Sequence, residues 1–452
     1  MFDLAILGGG PAGYVAAERA GAAGLKTVIF EKKSLGGVCL NEGCIPTKTL
    51  LYSAKVYNYA LTGDHYGVYV KEPSFNYSEF VDRKDKVVRK LVAGVKAAMK
   101  AGKVQVVAEH ATILGRSAEG ITVEAAGEQY MARNLIICAG SEASVPPFPG
   151  LKEAGDVIAT NREILSLREQ PKELVVIGGG VIGMEFAAFF STIGTKVTVV
   201  EMMPKILGPM DDEISAMLQK IYAKRGVQFC LSCKVTGIEG NTVVYEDPEG
   251  KVCRVSGDKI LVSVGRRAVL KGYGLENLGV AAERGIKVDD RMRTNIPNVY
   301  AAGDVTGFSM LAHTASREGE VAVNNILGKE DHMRYDAIPG VVYTNPEVAG
   351  VGLTEEQAKA SGREYVVLKL PMAYSGRFVA ENEGGEGICK IIAGKKYHEV
   401  LGVHMLGNPC SEIIQSACMA IETEMTVEQL KEVVFPHPTV SEIIKETAFT
   451  LK

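Results

Sequence analysis

The feature that most constrains this chain is an internal repeat. FDLAILGGGPAGYVAAERAGAAGLKTVIFE, Phe2 to Glu31, is matched by KELVVIGGGVIGMEFAAFFSTIGTKVTVVE, Lys172 to Glu201. Each copy reads as a buried strand, a glycine turn, a helix, a further glycine and a second buried strand ending in glutamate. Gly8, Gly10 and Gly13 form G-x-G-x-x-G in the first copy, and Gly178, Gly180 and Gly183 form it in the second. Glu31 and Glu201 each lie 23 residues after the first glycine of their copy, near the ~20-residue spacing of the acid that accepts ribose hydroxyls. The first glycine allows the tight turn, the second lets a pyrophosphate approach the backbone, and the third lets helix and strand pack closely. The helix N-terminus supplies free N–H donors and a positive dipole. A lone glycine motif would say little. Two copies, each with strand, helix and acid in register, predict two bound dinucleotides.

Composition agrees. The 452 residues hold 50 glycines, above the usual ~7%, as several tight nucleotide turns require, and the length suggests roughly three domains. A net charge of −4 leaves no global basic surface for nucleic acid. No apolar run reaches the ~18 residues of a membrane span. The uncharged stretch Leu4–Ala17 is broken by glycines and Pro11 and follows Asp3, so a signal peptide is not expected. The reading is a soluble, cytoplasmic protein without membrane contact. Nine scattered cysteines argue against a secreted disulfide framework.

Between the copies, Tyr52–Lys100 reads as a mixed-charge helical stretch, with strand signals at Val104–Val107 and Ile121–Val123. LIICAG ends a buried strand at Gly140, LVSVGRRA turns at Gly265, and NVYAAGDV enters a Gly-Asp turn at Asp304. Such strand ends are where a parallel sheet meets its ligand. Proline-rich SVPPFPG marks a boundary, and from about Tyr335 strands such as KIIAG and helical runs such as SEIIQSACMAIETEM suggest a final α+β domain. The expected domains are 1–145, 146–268, 269–334 and 335–452.

GGVCLNEGCIPTKTLL, Gly36–Leu51, places Cys39 and Cys44 in a glycine-flanked turn entering a helical run. Taken alone, the pair could be an electron-carrying disulfide, a metal pair or two small buried residues. Cys230-Leu-Ser-Cys233 lacks a following helix signal and a second pair, so it reads as structural. Cys138, Cys253, Cys389, Cys410 and Cys418 read as small core residues. No metal is implied.

In order along essentially the whole chain, GGGPAG, GGVCLNEGCIPTK, CAG, GGGVIGMEFA, SVGRR, AAGD, LAHTASREG, YTNPEVAGVGLTEEQ and HPTVSE resemble the pyridine nucleotide-disulfide oxidoreductases, in particular the members that reoxidise lipoyl groups. The fold this implies is α/β, with two Rossmann-like dinucleotide-binding domains and a C-terminal α+β dimerisation domain. The resemblance implies FAD in the first repeat and NAD in the second. Glu31 then serves the FAD adenosine ribose, Asp304 the flavin's ribityl chain, and Cys39–Cys44 is the redox-active disulfide. It also implies His437 as base, Glu442 as its orienting partner, and Lys48 paired with Glu185. Two departures stand out: Val38 precedes the first cysteine where threonine is usual, and Phe435-Pro436-His437-Pro438 replaces His-Ala-His-Pro.

The chemistry so implied oxidises protein-bound dihydrolipoamide and reduces NAD⁺. A substrate thiolate attacks Cys39, a mixed disulfide forms, and Cys44 is left against the flavin. Lys48 lies one helical turn beyond Cys44, where a cation favours thiolate; the bland alternative is a solvated lysine. Glu201 favours a free 2′-hydroxyl and hence NAD. Met202 and Met203 offer no arginine for a 2′-phosphate, and Lys205 is the one nearby cation. Rival readings are a mercuric reductase, which needs a C-terminal cysteine pair not seen in AFTLK, a glutathione reductase, which wants arginines after the second repeat, and a catalytically silent flavoprotein subunit. No lipoyl domain or Pro/Ala-rich linker is recognisable, so the lipoyl group is expected on a partner from a 2-oxoacid dehydrogenase or glycine cleavage system. A homodimer is expected, with His437 and Glu442 reaching Cys39 from the partner subunit.

Overall fold

Both repeats fold as strand, helix, strand. In the first, β1 (Phe2–Leu7), α1 (Pro11–Ala22) and β2 (Thr27–Phe30) follow one another. The computed structural model describes residues 1–452, which form two units. The first unit comprises Met1–Thr49, Val81–Ser144 and Gly265–Arg334; the second comprises Leu50–Phe80, Val145–Val264 and Tyr335–Lys452.

In the first unit β1 is central and parallel to both neighbours, β2 and Glu128–Ile137. The sheet runs Gln105–Val107, β2, β1, Glu128–Ile137, Ile121–Ala125, Ala111–Arg116, with Val299–Ala301 added in parallel on Glu128–Ile137. All four residues of β2 are buried, as are Leu4–Leu7. Both faces of these strands are covered, so they read as unbroken apolar runs. α1 turns only small residues inward, Ala12, Gly13, Ala16, Ala17 and Ala20. That lets it lie close to the helix Ala312–Ile326, where a Cβ on Gly319 would fall 2.6 Å from the Ala12 carbonyl oxygen. Parallel pairing through Glu128–Ile137 brings the Gly-Asp turn after Val299–Ala301 to the same end of the sheet as the glycine turn of β1.

The stretch predicted as one helical region is interrupted. α2 (Gly37–Glu42), α3 (Cys44–Leu61) and α4 (Tyr77–Ala101) are separate helices. Gly63 approaches the Val68 carbonyl too closely for any side chain, Gly67 has φ +74°, and Pro73 follows, so residues 62–76 cannot continue α3.

In the second unit the repeat supplies strands Glu173–Ile177 and Lys196–Val200 and helix Val181–Thr192. They lie in an all-parallel sheet ordered Gln228–Cys230, Lys196–Val200, Glu173–Ile177, Lys259–Val262, Ile158–Ala159. The helix is buried nearly all round, from Gly183 through Phe190, as expected of one covered on several sides. Residues 335–452 build an antiparallel sheet ordered Gly340–Val342, Val348–Gly352, Val400–Leu406, Ile388–Gly394, Tyr365–Pro371. Its core joins Ile391, Val403 and Met405 to Ile414 of helix Cys410–Glu422 and Ile443 of helix Glu442–Ala448. Each such side chain contributes roughly 1.5–3 kcal/mol on burial.

One charged cluster interrupts this apolar packing. Lys390, 1% exposed, lies 2.9 Å from Asp211, 0% exposed, and also pairs with Glu355 and, at 3.3 Å, with Glu213. Asp211 caps the helix Asp212–Lys224 by accepting from the Glu213 and Ile214 N–H groups, which ties that helix to the antiparallel sheet. No helix of the chain is long and apolar enough to cross a membrane.

Candidate active site

The two glycine turns have one design. A Cβ on Gly13 would sit 1.8 Å from the Gly8 carbonyl oxygen, and one on Gly183 would sit 2.0 Å from that of Gly178. Only glycine lets each helix close on its strand. By contrast, a Cβ on Gly10 would meet nothing nearer than 3.9 Å, and Gly140, Gly180 and Gly265 would meet nothing within 4 Å. Each cradle is therefore sealed at its floor and open at the helix N-terminus, the shape a pyrophosphate needs. The acids are held alike. Glu31 accepts from the Gly9 N–H (2.8 Å) and the Lys33 N–H (2.8 Å). Glu201 accepts from the Gly179 N–H (2.6 Å) and the Met203 N–H (2.7 Å). Each carboxylate oxygen keeps a second lone pair for a ribose hydroxyl. The residues present fit a dinucleotide at both turns.

The cysteine segment is docked onto the first cradle. The Gly36 N–H donates to the Gly9 carbonyl at 2.7 Å. Gly37, at φ +57°, lies so near that a Cβ would fall 2.6 Å from the Gly10 Cα. From there α2 carries Cys39, Gly43 breaks the helix, and α3 begins at Cys44. The pair thus bridges two helices rather than one turn of a single helix, which is what a four-residue gap suggests on its own. Both cysteines are half-buried free thiols, and their side chains share a hydrogen bond. That bond, then burial, then the charge of Cys44 hold the Cys39 thiol well above its ordinary value; Lys48 opposes and Asp304 adds to the rise. Cys39, Cys44, Lys48 and Asp304 therefore share one electrostatic neighbourhood. Cys44 also begins α3, where the helix dipole favours thiolate.

Asp304 is fixed by two residues that sequence reasoning missed. The Ser141 hydroxyl donates to its carboxylate. Arg266 Nε donates to the Ser141 hydroxyl at 2.8 Å, Arg266 Nη2 donates to the Ser141 carbonyl at 2.9 Å, and Arg266 stands 4.0 Å from Asp304. The strand pairing of Ser141–Ala143 with Arg266–Ala268 sets this arrangement. Just before Asp304, the Gly303 N–H donates to the fully buried Glu318 at 2.6 Å. The signals were present in CAGS and SVGRR, but no spacing rule joins them.

In the second unit, Glu185 is 3% exposed on helix Val181–Thr192 and accepts from the Tyr343 N–H at 3.1 Å. His437 Nδ1 lies 2.9 and 3.2 Å from the two oxygens of Glu442. The Thr439 N–H and then the His437 bond hold the Glu442 carboxyl below its ordinary range. Glu442 opens its helix, so the dipole acts in the same direction. The His437 side chain is 79% exposed, and Nε2 is the nitrogen outside the Glu442 pair. A carboxylate-oriented imidazole of this kind can accept a proton from an approaching thiol.

The other cysteines are held differently. Cys230 contacts the Tyr245 hydroxyl at 3.3 Å, and the Cys230 carbonyl and Cys233 N–H bond the Glu201 backbone on either side. Cys138, Cys389, Cys410 and Cys418 are buried and Cys253 is half-buried. Burial pushes the Cys389 thiol to about 12 and that of Cys418 to about 11, so both are inert at neutral pH.

Two dinucleotide cradles, the first with a dithiol packed against its glycine turn, define a flavin- and nicotinamide-dependent disulfide oxidoreductase. The family models agree. Residues 2–319 match the pyridine nucleotide-disulphide oxidoreductase model and residues 338–448 match the dimerisation domain of the same group. The chain belongs to the pyridine nucleotide-disulphide oxidoreductase family. It is 39% identical to the dihydrolipoyl dehydrogenase of Bacillus subtilis, covering 99% of this chain and 97% of that one. It is 40% identical to the mitochondrial dihydrolipoyl dehydrogenase of Pisum sativum, covering 99% and 90%. Among solved structures it superposes on LpdA from Mycobacterium tuberculosis with TM-score 0.91 at 25% identity over 100% of both chains. A HOCl-induced flavoprotein disulfide reductase from Escherichia coli matches with TM-score 0.87 at 27% identity, again over 100% of both chains. The cofactors of this family are FAD and NAD(H), the pair the two cradles fit.

Proposed function

We propose that this protein is an NAD-dependent dihydrolipoyl dehydrogenase, oxidising protein-bound dihydrolipoamide through a Cys39–Cys44 disulfide and FAD and reducing NAD⁺ to NADH. The observation that carries the proposal is the dithiol packed by Gly36 and Gly37 against the first cradle. Identity of 39–40% to dihydrolipoyl dehydrogenases over nearly the whole chain supports the choice of substrate.

His437 Nε2 takes the proton from one lipoyl thiol while Glu442 holds the imidazole through Nδ1. The resulting thiolate attacks Cys39 Sγ; the Cys39–Cys44 bond breaks and Cys44 leaves as thiolate, steadied by the α3 N-terminus and Lys48. The second lipoyl sulfur, losing its proton to solvent, then attacks the lipoyl sulfur of the mixed disulfide. Cys39 departs and recovers a proton from His437, and lipoamide is released. FAD, which Gly8, Gly10, Gly13, Glu31 and Asp304 would hold, would supply the two-electron acceptor that lets Cys39 lose its proton and re-form its bond to Cys44, and NAD⁺ at the second cradle would be the final hydride acceptor.

His437 and Glu442 act on Cys39 from the partner subunit of a homodimer. The dimerisation-domain match and the exposure of His437 support that arrangement. The lipoyl group arrives on a protein of a 2-oxoacid dehydrogenase or glycine cleavage system in the cytoplasm. NAD⁺ reduction by dihydrolipoamide, lost in Cys44→Ser, tests the proposal.

A further inference from the structure

The loop that follows the second repeat folds back over its glycine turn. The Leu207 N–H donates to the Gly179 carbonyl at 2.8 Å, and Ile206 and Leu207 are fully buried. A Cβ on Gly179 would meet Ile206 at 3.2 Å and the Glu201 carboxylate at 3.4 Å. Ile206 and the ribose acid therefore flank the same turn, and Lys205, next in the chain to Ile206, belongs to the same loop. Between Glu201 and Asp212 the sequence is EMMPKILGPMDD, in which Lys205 is the only lysine or arginine.

The Lys205 ammonium is committed elsewhere. It donates to the Met210 carbonyl at 2.7 Å and to the Asp212 carboxylate. Asp212 is itself fixed, as the first residue of the helix capped by buried Asp211. A carboxylate at that helix end is favoured by the dipole, although the Asp212 side chain is 55% exposed. Recognition of a 2′-phosphate on the adenosine ribose needs a cation close to the acid of the second strand. This loop contains one such cation, and two of its three N–H donors are spent on holding the loop closed.

We propose that Asp212 is a specificity-determining residue. By holding Lys205 against the Met210 carbonyl, it keeps the ammonium from a 2′-phosphate and so reinforces the preference for NAD over NADP that Glu201 begins. The inference rests on the NAD-dependent reading above. Discrimination then has two parts, a carboxylate that repels the phosphate and a cation withheld from it.

The test compares wild type, Asp212→Ala, Lys205→Met and the double variant as FAD-loaded enzymes. The readouts are kcat/KM for NADPH relative to NADH and the Kd for adenosine 2′,5′-bisphosphate. Asp212→Ala should raise relative NADPH use and tighten the bisphosphate by about tenfold, the worth of one charge-assisted hydrogen bond. The double variant should lose that gain, because the freed cation is its source. An unchanged ratio in Asp212→Ala, or a gain that survives Lys205→Met, would overturn the inference. Asp212→Asn, which keeps a polar group at the helix start, replaces Asp212→Ala should the latter fail to fold. A wild-type enzyme that itself prefers NADPH would instead refute the NAD reading, so the two failures are distinct.

Discussion

Gly37 lies against Gly10 so closely that a Cβ on Gly37 would fall 2.6 Å from the Gly10 Cα. This contact places the cysteine helix on the phosphate turn, and it also requires φ +57° at Gly37. Gly37→Ala meets both obstacles at once. It should cost about 2 kcal/mol or more of stability and loosen FAD, read as flavin released on gel filtration. Full flavin retention with unchanged melting would show that the contact does not hold the cradle.

The His437–Glu442 pair predicts a second outcome. His437→Gln should lower dihydrolipoamide turnover by about 10²–10⁴-fold while the protein keeps its flavin. Glu442 titrates below the ordinary carboxylate value because of the Thr439 N–H and then His437. Its stabilising contribution is therefore complete above the unfolded value of about 4.3 and disappears as pH falls through the lower folded one. Glu442→Gln should flatten that acid limb of the stability profile and reduce turnover at neutral pH. Near-normal kcat in His437→Gln would remove it from the mechanism.

Arg266 and Ser141 should act on the flavin through Asp304. Arg266→Met is expected to weaken FAD binding about ten- to a hundredfold, the loss of charge-assisted bonds around one carboxylate. Arg266→Lys should restore part of it. Reconstitution of apo-protein with FAD measures this directly, and an unchanged Kd in Arg266→Met would contradict the arrangement.

The buried Lys390–Asp211 pair predicts a wide stability plateau. Burial alone would raise Asp211, but the Lys390 bond and charge outweigh it and hold the carboxyl low. Burial alone would lower Lys390, but its bonds to Glu355 and Asp211 hold it high. The aspartate contribution is present above about 3.9 and lost as pH falls through its lower folded value. The lysine contribution is present below about 10.4 and lost as pH rises through its higher one. Lys390→Met should cost about 3–5 kcal/mol, because it strands a buried carboxylate. Chemical denaturation at neutral pH measures it, and a loss below 1 kcal/mol, roughly that of an exposed pair, would contradict the burial argument.

What was legible in the sequence was whatever local spacing encodes. The glycines and terminal acids of the two repeats are readable because turn, dipole and ribose contact all fall within one strand–helix–strand unit. Cys39, Cys44 and the HPTVSE segment are readable as motifs. The docking of Gly37 on Gly10 was not, because a glycine's need for space depends on a neighbour the chain reaches only after folding. Ser141 and Arg266 come together through strand pairing across a long insertion, and Lys390 meets Asp211 from a distant sheet. The break between α3 and α4 was hidden by a charge pattern that reads as helical on both sides of Gly63, Gly67 and Pro73.

The most direct measurement is NAD⁺ reduction by dihydrolipoamide with the purified flavoprotein, run beside glutathione disulfide with NADPH and repeated on Cys44→Ser. Rapid NADH formation by wild type, none by Cys44→Ser and little glutathione reduction is the predicted result. A yellow protein that fails to reduce NAD⁺ with dihydrolipoamide, or that turns over glutathione disulfide with NADPH instead, would contradict it.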